Sequence, residues 1–467
     1  MTVLRKTQGL AGAAVAALLL WTGAAPALAE TIEGALIRAY QNNPQLNAQR
    51  ASVRSTDENV PQALSGYRPK IAVTASAGGQ YSDTRSRNAP GQPIQALDGS
   101  NAPRSVGGTI TQTLYNGNQT ANRTRAAESQ VSAAREGLRV LEQSVLLAAS
   151  TIYMDYLRDS AIVEVQRSNT RVLEQTLKQT QDRFNVGEVT RTDVAQSEAQ
   201  LAAGRTQLLT AESNLTTTRA NYRRIIGNDP VSLAPGSPVD RFLPATLATS
   251  INTGLIENPN VTAAMYGIDV SYLQVKINEG ALFPTVTLQG SVQQAWDSTL
   301  QLPRSFNASA TAQVVVPIYQ GGAEYALIRQ SKESLAQQRL NLDLVRDQTR
   351  ATIAQAWGQL IAGRSQVASA QAQVTASEIA LNGVREEARV GQRTTLDVLN
   401  AQQALVNARV ALVTAQHDRV VASYAVLNAV GRLSPLTLKL RTSVYDPNVH
   451  YQQVRDSWGG IRTPDGH

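Results

Sequence analysis

Specific interactions are predicted most clearly for two threonine–aspartate pairs, Thr190 with Asp193 and Thr394 with Asp397. Each pair lies inside a copy of a repeated turn motif. The motif V-G-x-x-T-x-x-D occupies residues 186–193 and recurs at residues 390–397. A Thr three residues before an acidic residue predicts a capping box that starts a helix. The Gly before it can adopt the left-handed conformation that ends the preceding helix. The chemistry indicated is therefore hydrogen bonding at a tight turn between two helices, rather than catalysis.

The other residues that could do chemistry form no catalytic or metal-binding pattern. The three histidines, His417, His450 and His467, share no metal-ligand spacing. The sequence has no phosphate-binding glycine loop, no nucleophile elbow and no HExxH motif. It also has no cysteine, which excludes disulfides, thiolate metal sites and a lipidated N-terminal cysteine. We predict that the protein is not an enzyme and uses no metal or cofactor.

Composition favours helices packed in a thin wall over a thick globular core. Charged residues make up 17% of the 467 positions and aromatic residues only 5%, and the helical tracts are rich in Ala, Gln, Ser and Thr. Such small side chains suit close helix packing. The net charge of +7 is spread along the chain instead of forming a basic stripe. We therefore predict no nucleic-acid partner.

The turn motifs belong to a duplication that covers most of the chain. The two motif copies are 204 residues apart, and Y-N-G at 115–117 matches Y-Q-G at 319–321 with the same offset. Upstream, N-P at 43–44 matches N-P at 258–259 with an offset of 215. The 11-residue difference must lie between positions 69 and 115, in the connection between two candidate strands. A repeat this long predicts a duplicated structural unit.

We divide the chain into a signal peptide (1–29), a first repeat (30–227), a linker (228–245), a second repeat (246–433) and a polar C-terminal tail (434–467). Arg5 and Lys6 precede an apolar stretch and the cleavage motif A-L-A at 27–29, as in secretory signals. The apolar stretch is shorter than the roughly 20 residues that span a bilayer. The mature protein should begin at Glu30, outside the cytoplasm and without a transmembrane helix. We expect the tail beyond Leu440 to be poorly ordered.

Within each repeat we predict a pair of strands and one long helical hairpin. The strands span about 70–81 and 106–114, then 285–296 and 306–316, with polar connections at 82–104 and 297–305. Their alternation and length suit tilted transmembrane strands. Short helices are expected at 32–42 and from 44 to about 66. The hairpins, at 117–226 and 321–430, carry apolar residues every seven positions, which predicts left-handed coiled-coil packing.

Four strands cannot satisfy their own edges in a membrane. Lipid-exposed backbone must be fully hydrogen-bonded, so a spanning sheet has to close, and the smallest barrels have about eight strands. We predict a mainly α fold with a small transmembrane β part. The long coiled-coil hairpins would form an α-barrel, and the four strands of each chain would share a β-barrel with copies of the same chain. Three copies would give a trimeric 12-stranded β-barrel.

The ordered, duplicated set of motifs resembles the TolC family of outer-membrane efflux proteins. The set comprises the signal sequence, the Asn-Pro and Pro turns, Tyr-x-Gly before each long helix, and V-G-x-x-T-x-x-D at its far end. The resemblance covers nearly all of residues 30–433. It implies a homotrimer in outer-membrane lipid of a Gram-negative bacterium, with a large periplasmic part. It also implies a periplasmic adaptor (membrane fusion protein) and an inner-membrane ABC or RND transporter as partners.

The resemblance also implies roles for individual residues of the two turns. Adaptor-docking contacts fall at the tips, on Gly187, Val189, Gly391 and Thr394. A periplasmic gate falls on three residues: the pair Thr192 and Asp193 of the first hairpin would bond to Arg393 of the second.

A ring of carboxylates in the lumen is the last feature that the resemblance implies. Asp397 occupies the first ring position, but the second is Asn400, which carries no charge. Ala388 stands where the family usually has a tyrosine that supports closure. We expect one anionic ring of three carboxylates and a weakly held gate.

We predict an outer-membrane exit duct of a tripartite export system, which passes proteins or small molecules to the exterior. The alternatives from other classes are a secreted or periplasmic coiled-coil scaffold, which leaves the four strands unexplained, and an adaptor. Adaptors carry one hairpin between compact β-domains, not two in tandem. The sequence does not identify the exported substrate.

Overall fold

The computed structural model describes residues 29–87, 90–91, 93–464 and 466. Nearly all of the predicted signal peptide lies outside these residues. The described helices are α1 (Ile32–Asn42), α2 (Pro44–Asp57), α3 (Asn59–Leu64), α4 (Gln119–Asn185), α5 (Arg191–Ile226), α6 (Leu247–Glu257), α7 (Pro259–Gly280), α8 (Ala323–Arg389), α9 (Thr395–Val430) and α10 (Pro447–Val454). The strands are β1 (Lys70–Ala77), β2 (Gln80–Ser86), β3 (Gln95–Asn101), β4 (Arg104–Asn116), β5 (Thr285–Thr299) and β6 (Leu302–Val315). None of the described helices is long and apolar enough to cross a bilayer.

The helices keep the offsets seen in the sequence. Helices α4 and α8 are each 67 residues long and begin 204 residues apart, and α5 and α9, each 36 residues long, do the same. Helices α1 and α6, like α2 and α7, begin 215 residues apart. A helix of 67 residues extends about 100 Å at 1.5 Å per residue. Each half therefore builds one very long helical hairpin.

The seven-residue apolar pattern forms the buried seams of these hairpins. Val131, Leu138 and Val145 of α4 are each at most 5% exposed, and so are Leu399 and Val406 of α9. Because the pattern has a 3.5-residue period, the buried stripe stays on one side of each helix. The largest apolar cluster joins α1, α4, α5 and α9 at the end of the hairpins nearest the sheet.

The main sheet has two chemically different faces. Its strand order is β1-β4-β5-β6, all antiparallel. One row across the sheet pairs Val73, Gly108, Val292 and Ala308, whereas the next pairs Ala72, Thr109, Ser291 and Ser309. Side chains alternate between faces along a strand, so one face is apolar and the other carries hydroxyl and amide groups. The strands β1 and β6 each have a free edge within the chain.

The strand boundaries correct the prediction in the first half. The stretch 82–104 was predicted as a connection, but it contains most of a two-stranded ribbon formed by β2 and β3. The strand predicted for 70–81 ends at Ala77, before Gly78 and Gly79. Polar residues line both faces of the ribbon, so its sequence lacks the alternation that marks a half-buried strand. The ribbon accounts for the extra length of the first half.

The predicted ends of β5, of β6 and of the helix that begins at Pro44 also differ from the structure. In the second half the predicted loop 297–305 shrinks to a turn at 300–301, because β5 and β6 extend towards each other. The helix predicted from Pro44 to about Gly66 is interrupted after Asp57. Pro61 lacks the N–H that would bond to the Asp57 carbonyl, so the continuous helix is lost there.

The tail is ordered where we expected disorder. Residues beyond Leu440 return to the first repeat, where α10 packs against α2 and places Tyr451 against Ala127 and Val131 of α4. The Arg50 guanidinium lies 5.3 Å from the centre of the Tyr445 ring and 4.6 Å from the centre of the Tyr40 ring. His450 bonds to Asp57 at 3.0 Å, and both side chains are buried. The prediction failed because these partners lie almost 400 residues away in the sequence.

Candidate functional site

The two hairpin tips are tight turns with the same backbone geometry. Gly187 and Gly391 have φ of +81° and +83°, which an L-residue with a side chain rarely adopts. The Glu188 N–H donates to the Arg183 carbonyl at 2.9 Å, and the Gln392 N–H donates to the Glu387 carbonyl at 2.9 Å. These bonds close the last helical turn as in a Schellman motif. Both predicted left-handed glycines are confirmed.

Capping boxes start the second helix of each hairpin. The Asp193 Oδ2 accepts from the Thr190 backbone N–H at 3.0 Å, and the Asp397 Oδ2 accepts from that of Thr394 at 3.0 Å. The threonine hydroxyls accept in return from the aspartate N–H groups. Hydrogen bonds from Thr190 and Thr394 lower the pKa of Asp193 and of Asp397. Both carboxylates are therefore ionised at neutral pH.

A cleft of about 760 Å³ lies between the two tips. It brings together many of the residues singled out in the sequence, and the predicted site residues on its wall are Val189, Asp193, Gly391, Arg393 and Thr394. Ala388 lies on the same wall. Gly187 and Thr192 are exposed at the first tip. The two turns, 204 residues apart in sequence, thus form one continuous surface.

The predicted gate residues are near one another but have other partners in this chain. The Arg393 Nε donates to Glu387 Oε2 at 2.8 Å, within the second hairpin. At the first tip Arg183 pairs with Glu188 at 3.0 Å. The bond expected between Arg393 and the Thr192–Asp193 pair is replaced by the Glu387 contact, because Glu387 projects from the last turn of α8 beside the arginine.

The predicted ring residues lie on the first turns of α9. Asp397 is half-buried, and its Oδ2 carries the capping bonds described above. Asn400 is exposed one turn further along the helix. A single chain contributes one such carboxylate, so a ring requires further copies.

Two polar contacts between the hairpins, one buried and one partly buried, were missed from the sequence. Gln402 of α9 donates to Asn169 of α4 at 3.3 Å, and Gln200 of α5 donates to Gln403 at 3.2 Å. A signal was present for the buried one, since the row Ala134, Leu141, Ala148 of α4 continues in steps of seven to Asn169. Asn169 and Gln402 are both less than 10% exposed. A polar residue at a seam position is the recognised mark of a register-setting contact.

A charged cluster also joins the hairpins further from the tips. His417 of α9 is 7% exposed, with Nδ1 at 2.8 Å from Asp418 and Nε2 at 3.0 Å from Asp155 of α4. Arg158 pairs with Asp155 and with Asp159. Burial alone lowers the pKa of His417, but the bonds to Asp155 and Asp418 outweigh it, so the net pKa is raised. The sequence alone predicts no role for His417, because its spacing from the other histidines fits no metal site.

Within the described part of the chain, no group of three or more His, Cys, Asp or Glu side chains is arranged to hold a metal ion. The surfaces with a distinctive chemistry are instead the cleft at the tips, the polar seam between the hairpins, and the two-faced sheet.

Comparison with known sequences finds the same duplicated architecture. The profile of the family described as outer membrane efflux protein matches residues 35–228 and 251–432. The first segment ends one residue beyond the predicted repeat 30–227, and the second lies inside the predicted repeat 246–433. The chain is 42% identical to the outer membrane efflux protein BepC of Brucella suis biovar 1, over 100% of this chain and 99% of that protein.

More distant similarities extend to secretion proteins and solved channels. The alkaline protease secretion protein AprF of Pseudomonas aeruginosa is 22% identical over 82% of this chain and 81% of its own length. The crystal structure of the CmeC outer membrane channel of Campylobacter jejuni superposes with a TM-score of 0.75, at 17% identity, covering 91% of this chain and 89% of that one. The last similarity establishes the fold.

Proposed function

This chain belongs to the outer membrane efflux protein family, and from that membership we propose that three copies form one export duct across the outer membrane. The protein is an outer membrane exit duct of efflux and secretion systems. The proposal adds the stoichiometry, the gate, and the surfaces on which partners dock. Energy for transport comes from a transporter in the inner membrane.

The two-faced sheet is the observation that carries the proposal. Its apolar face leaves Ile71 73% and Val73 76% exposed in the single chain. Side chains so exposed are stabilised by lipid, whereas the hydroxyl and amide groups of the other face suit a water-filled lumen. The free edges of β1 and β6 require pairing, and three copies of four strands close a barrel of twelve.

The long hairpins supply the periplasmic part of the duct. Each chain contributes two hairpins, and the longer helix of each hairpin extends about 100 Å. Three chains contribute six hairpins. Residues of the seams are buried within each chain, but α8 also exposes Leu340 (71%) and Ile379 (69%). These side chains are covered when neighbouring copies pack into a cylinder. The division into repeats 30–227 and 246–433 is part of this proposal, and the matched helix lengths support it.

The entrance is gated where the hairpin tips converge. We place the gate at Thr192, Asp193 and Arg393, and the anionic ring at Asp397 with Asn400 beside it. The closeness of Asp193 and Arg393 on one cleft supports the gate, and the ionised state of Asp397 supports the ring. Solute enters when the tips move apart.

The cleft between the tips is where a periplasmic adaptor docks. Gly187, Val189, Gly391 and Thr394 are the predicted contacts, and all lie at the tips. The adaptor connects the duct to an inner-membrane transporter of the ABC or RND class. The similarity to a protease secretion protein is consistent with protein export through an ABC system.

The test is purification of the mature protein from the outer membrane. We expect extraction to require detergent, a trimer that dissociates only on heating in gel electrophoresis, and ion conductance in planar bilayers. A water-soluble monomer that forms no channel would refute the duct. A scaffold or an adaptor would fractionate in that way.

A further inference from the structure

A chain of hydrogen bonds, exposed at Arg385 and buried at Gln402 and Asn169, crosses from one hairpin to the other close to the tips. The Arg385 guanidinium of α8 donates to Gln402 Oε1 at 3.1 Å, and Gln402 Nε2 donates to Asn169 Oδ1 of α4 at 3.3 Å. Gln402 is 8% exposed and Asn169 is 2% exposed. We call these three residues the amide relay. It links both helices of the second hairpin to the first.

The amide relay lies just beyond a small apolar contact between the same hairpins. Leu399 of α9 packs with Leu173 of α4 and Leu201 of α5. Gln402 follows Leu399 by one helical turn and lies about 10 Å along α9 from its first residue. The leucines and the amide relay therefore hold the two hairpins together at the height of the entrance. The gate residues Asp193 and Arg393, by contrast, bond within their own hairpins.

One hydrogen-bond donor of the amide relay has no partner among the described residues. Asn169 Nδ2 is buried, and among the described residues it has no hydrogen-bond partner. A buried donor left unpaired costs free energy, so the contact is weaker than an apolar layer of the same size would be. A weak polar layer suits a contact that must break and re-form. A core built only for stability would have apolar residues at both positions 169 and 402, as it has at 173 and 399.

We propose that the amide relay is a latch, which holds the hairpins in the closed arrangement and breaks when the tips move apart. The inference rests on the proposed function, because it names a contact that regulates the same entrance. Gln402 is the central positioning residue, since of the three relay residues it is the one that bonds to both of the others. The latch acts within one chain and therefore operates three times in the trimer.

Two substitutions at one position test the latch in opposite directions. Gln402→Leu removes both hydrogen bonds and leaves Asn169 Oδ1 as well as Asn169 Nδ2 buried without a partner among the described residues, so the closed contact is weakened and the open-to-closed ratio of single channels rises about tenfold, equivalent to about 1.4 kcal/mol. Gln402→Glu gives Arg385 a charged acceptor, and the Asn169 amide can turn so that Nδ2 also donates to it. This variant is expected to open less often than the wild type.

Gln416, which is exposed on α9, provides the matched control. Gln416→Leu and Gln416→Glu should leave channel opening unchanged, and all variants should run as heat-modifiable trimers. If both Gln402 variants open more often, or neither differs from wild type, the latch is refuted. Either outcome leaves the duct intact as long as the wild type conducts. A wild type that does not conduct refutes the duct itself.

Discussion

At the scale of single residues, the two tips use the same turn but different charges. Position 183 is Arg and its counterpart in the second repeat, position 387, is Glu. Each pairs with a neighbour of opposite charge, Arg183 with Glu188 and Glu387 with Arg393. The duplicated backbone thus presents two distinct surfaces to the cleft, and an adaptor that meets both must discriminate between them.

Replacing Arg393 tests the gate. Arg393→Ser should raise the open probability of purified trimers in a planar bilayer, because the proposed gate assigns Arg393 the contact between the two hairpins. An exposed ion pair contributes at most about 1 kcal/mol, so the rise is at most about fivefold for one contact. Arg389→Ser is the control, since Arg389 pairs with Glu386 on the same helix. Equal conductance in both variants would remove Arg393 from the gate.

Replacing Asp397 tests the anionic ring. Three clustered carboxylates attract multivalent cations, and Asp397→Ala should abolish block by such cations from the periplasmic side. Asp397→Asn keeps a capping acceptor and should have the same effect, which separates charge from helix capping. Asp193→Ala removes the equivalent carboxylate of the first hairpin and should leave the block in place. Persistent block in both Asp397 variants contradicts the ring.

At the scale of elements, polar groups are placed where helices from different hairpins meet. The seam between α4 and α9 contains Leu173, Asn169 and Asp155 on one side and Leu399, Gln402 and His417 on the other. Inside the second hairpin, Val374 and Leu381 of α8 pack with Leu405 of α9 in an apolar layer. Polar layers between hairpins fix their register at a smaller gain in stability.

The His417 contact makes this seam sensitive to pH. Its pKa is raised in the folded protein above the usual 6.5, so its contribution is complete below about pH 6.5 and is lost as pH rises through the folded-state pKa. The thermal midpoint of the detergent-solubilised trimer should therefore decline over that range. The groups that face the ring are Asp155 and Arg158 of α4 and Asp418 of α9.

Two variants isolate this histidine. His417→Gln should remove the pH-dependent part of the decline, because glutamine does not titrate. Asp155→Asn should move the decline to lower pH, since it removes an anion that favours the charged imidazole. A decline that is identical in wild type and His417→Gln would show that another group is responsible.

The tail gives a second element-scale prediction. Asp57 is fully buried against His450, and burial raises the pKa of Asp57. His450→Ala should weaken docking of α10 by about 2 kcal/mol, because it leaves a buried acid without its partner. Trypsin cleavage after Arg455 should then accelerate about 30-fold. The double variant Asp57→Leu with His450→Leu should restore slow cleavage. Unchanged cleavage in His450→Ala would contradict the docking role.

At the scale of the whole molecule, a single chain leaves strand edges unpaired and apolar side chains exposed. A sheet with two free edges and an apolar face is attached to helices whose outer sides carry exposed leucine and isoleucine. In the proposed trimer, closure with two further copies inside the membrane pairs both free edges and covers the exposed apolar side chains. Under that proposal the duct is a property of the assembly, with each chain supplying one third of the wall.

Adjacent positions on β1 test which face meets lipid. Val73→Arg places a charge on the apolar face and should cost about 2–4 kcal/mol near the middle of the bilayer. Thr74→Arg places the same charge on the polar face, where water is available. We expect the first variant to lose heat-modifiable trimer from the outer membrane and the second to retain it. The opposite result would mean that the assignment of the two faces is wrong.

The repeats, the long hairpins, the capped turns and the two-faced strands are all predictable from the amino-acid sequence. Each of these depends on neighbours within a few residues or on a fixed period, and such patterns are visible in the chain. The folded chain was needed to identify the partners of Arg393, Gln402, His417 and His450, and to reveal the ribbon formed by β2 and β3. A polar side chain bonds to whichever element packs against it, and that element is often hundreds of residues away. The helices carry their own periodicity, whereas contacts between them exist only once the chain has folded.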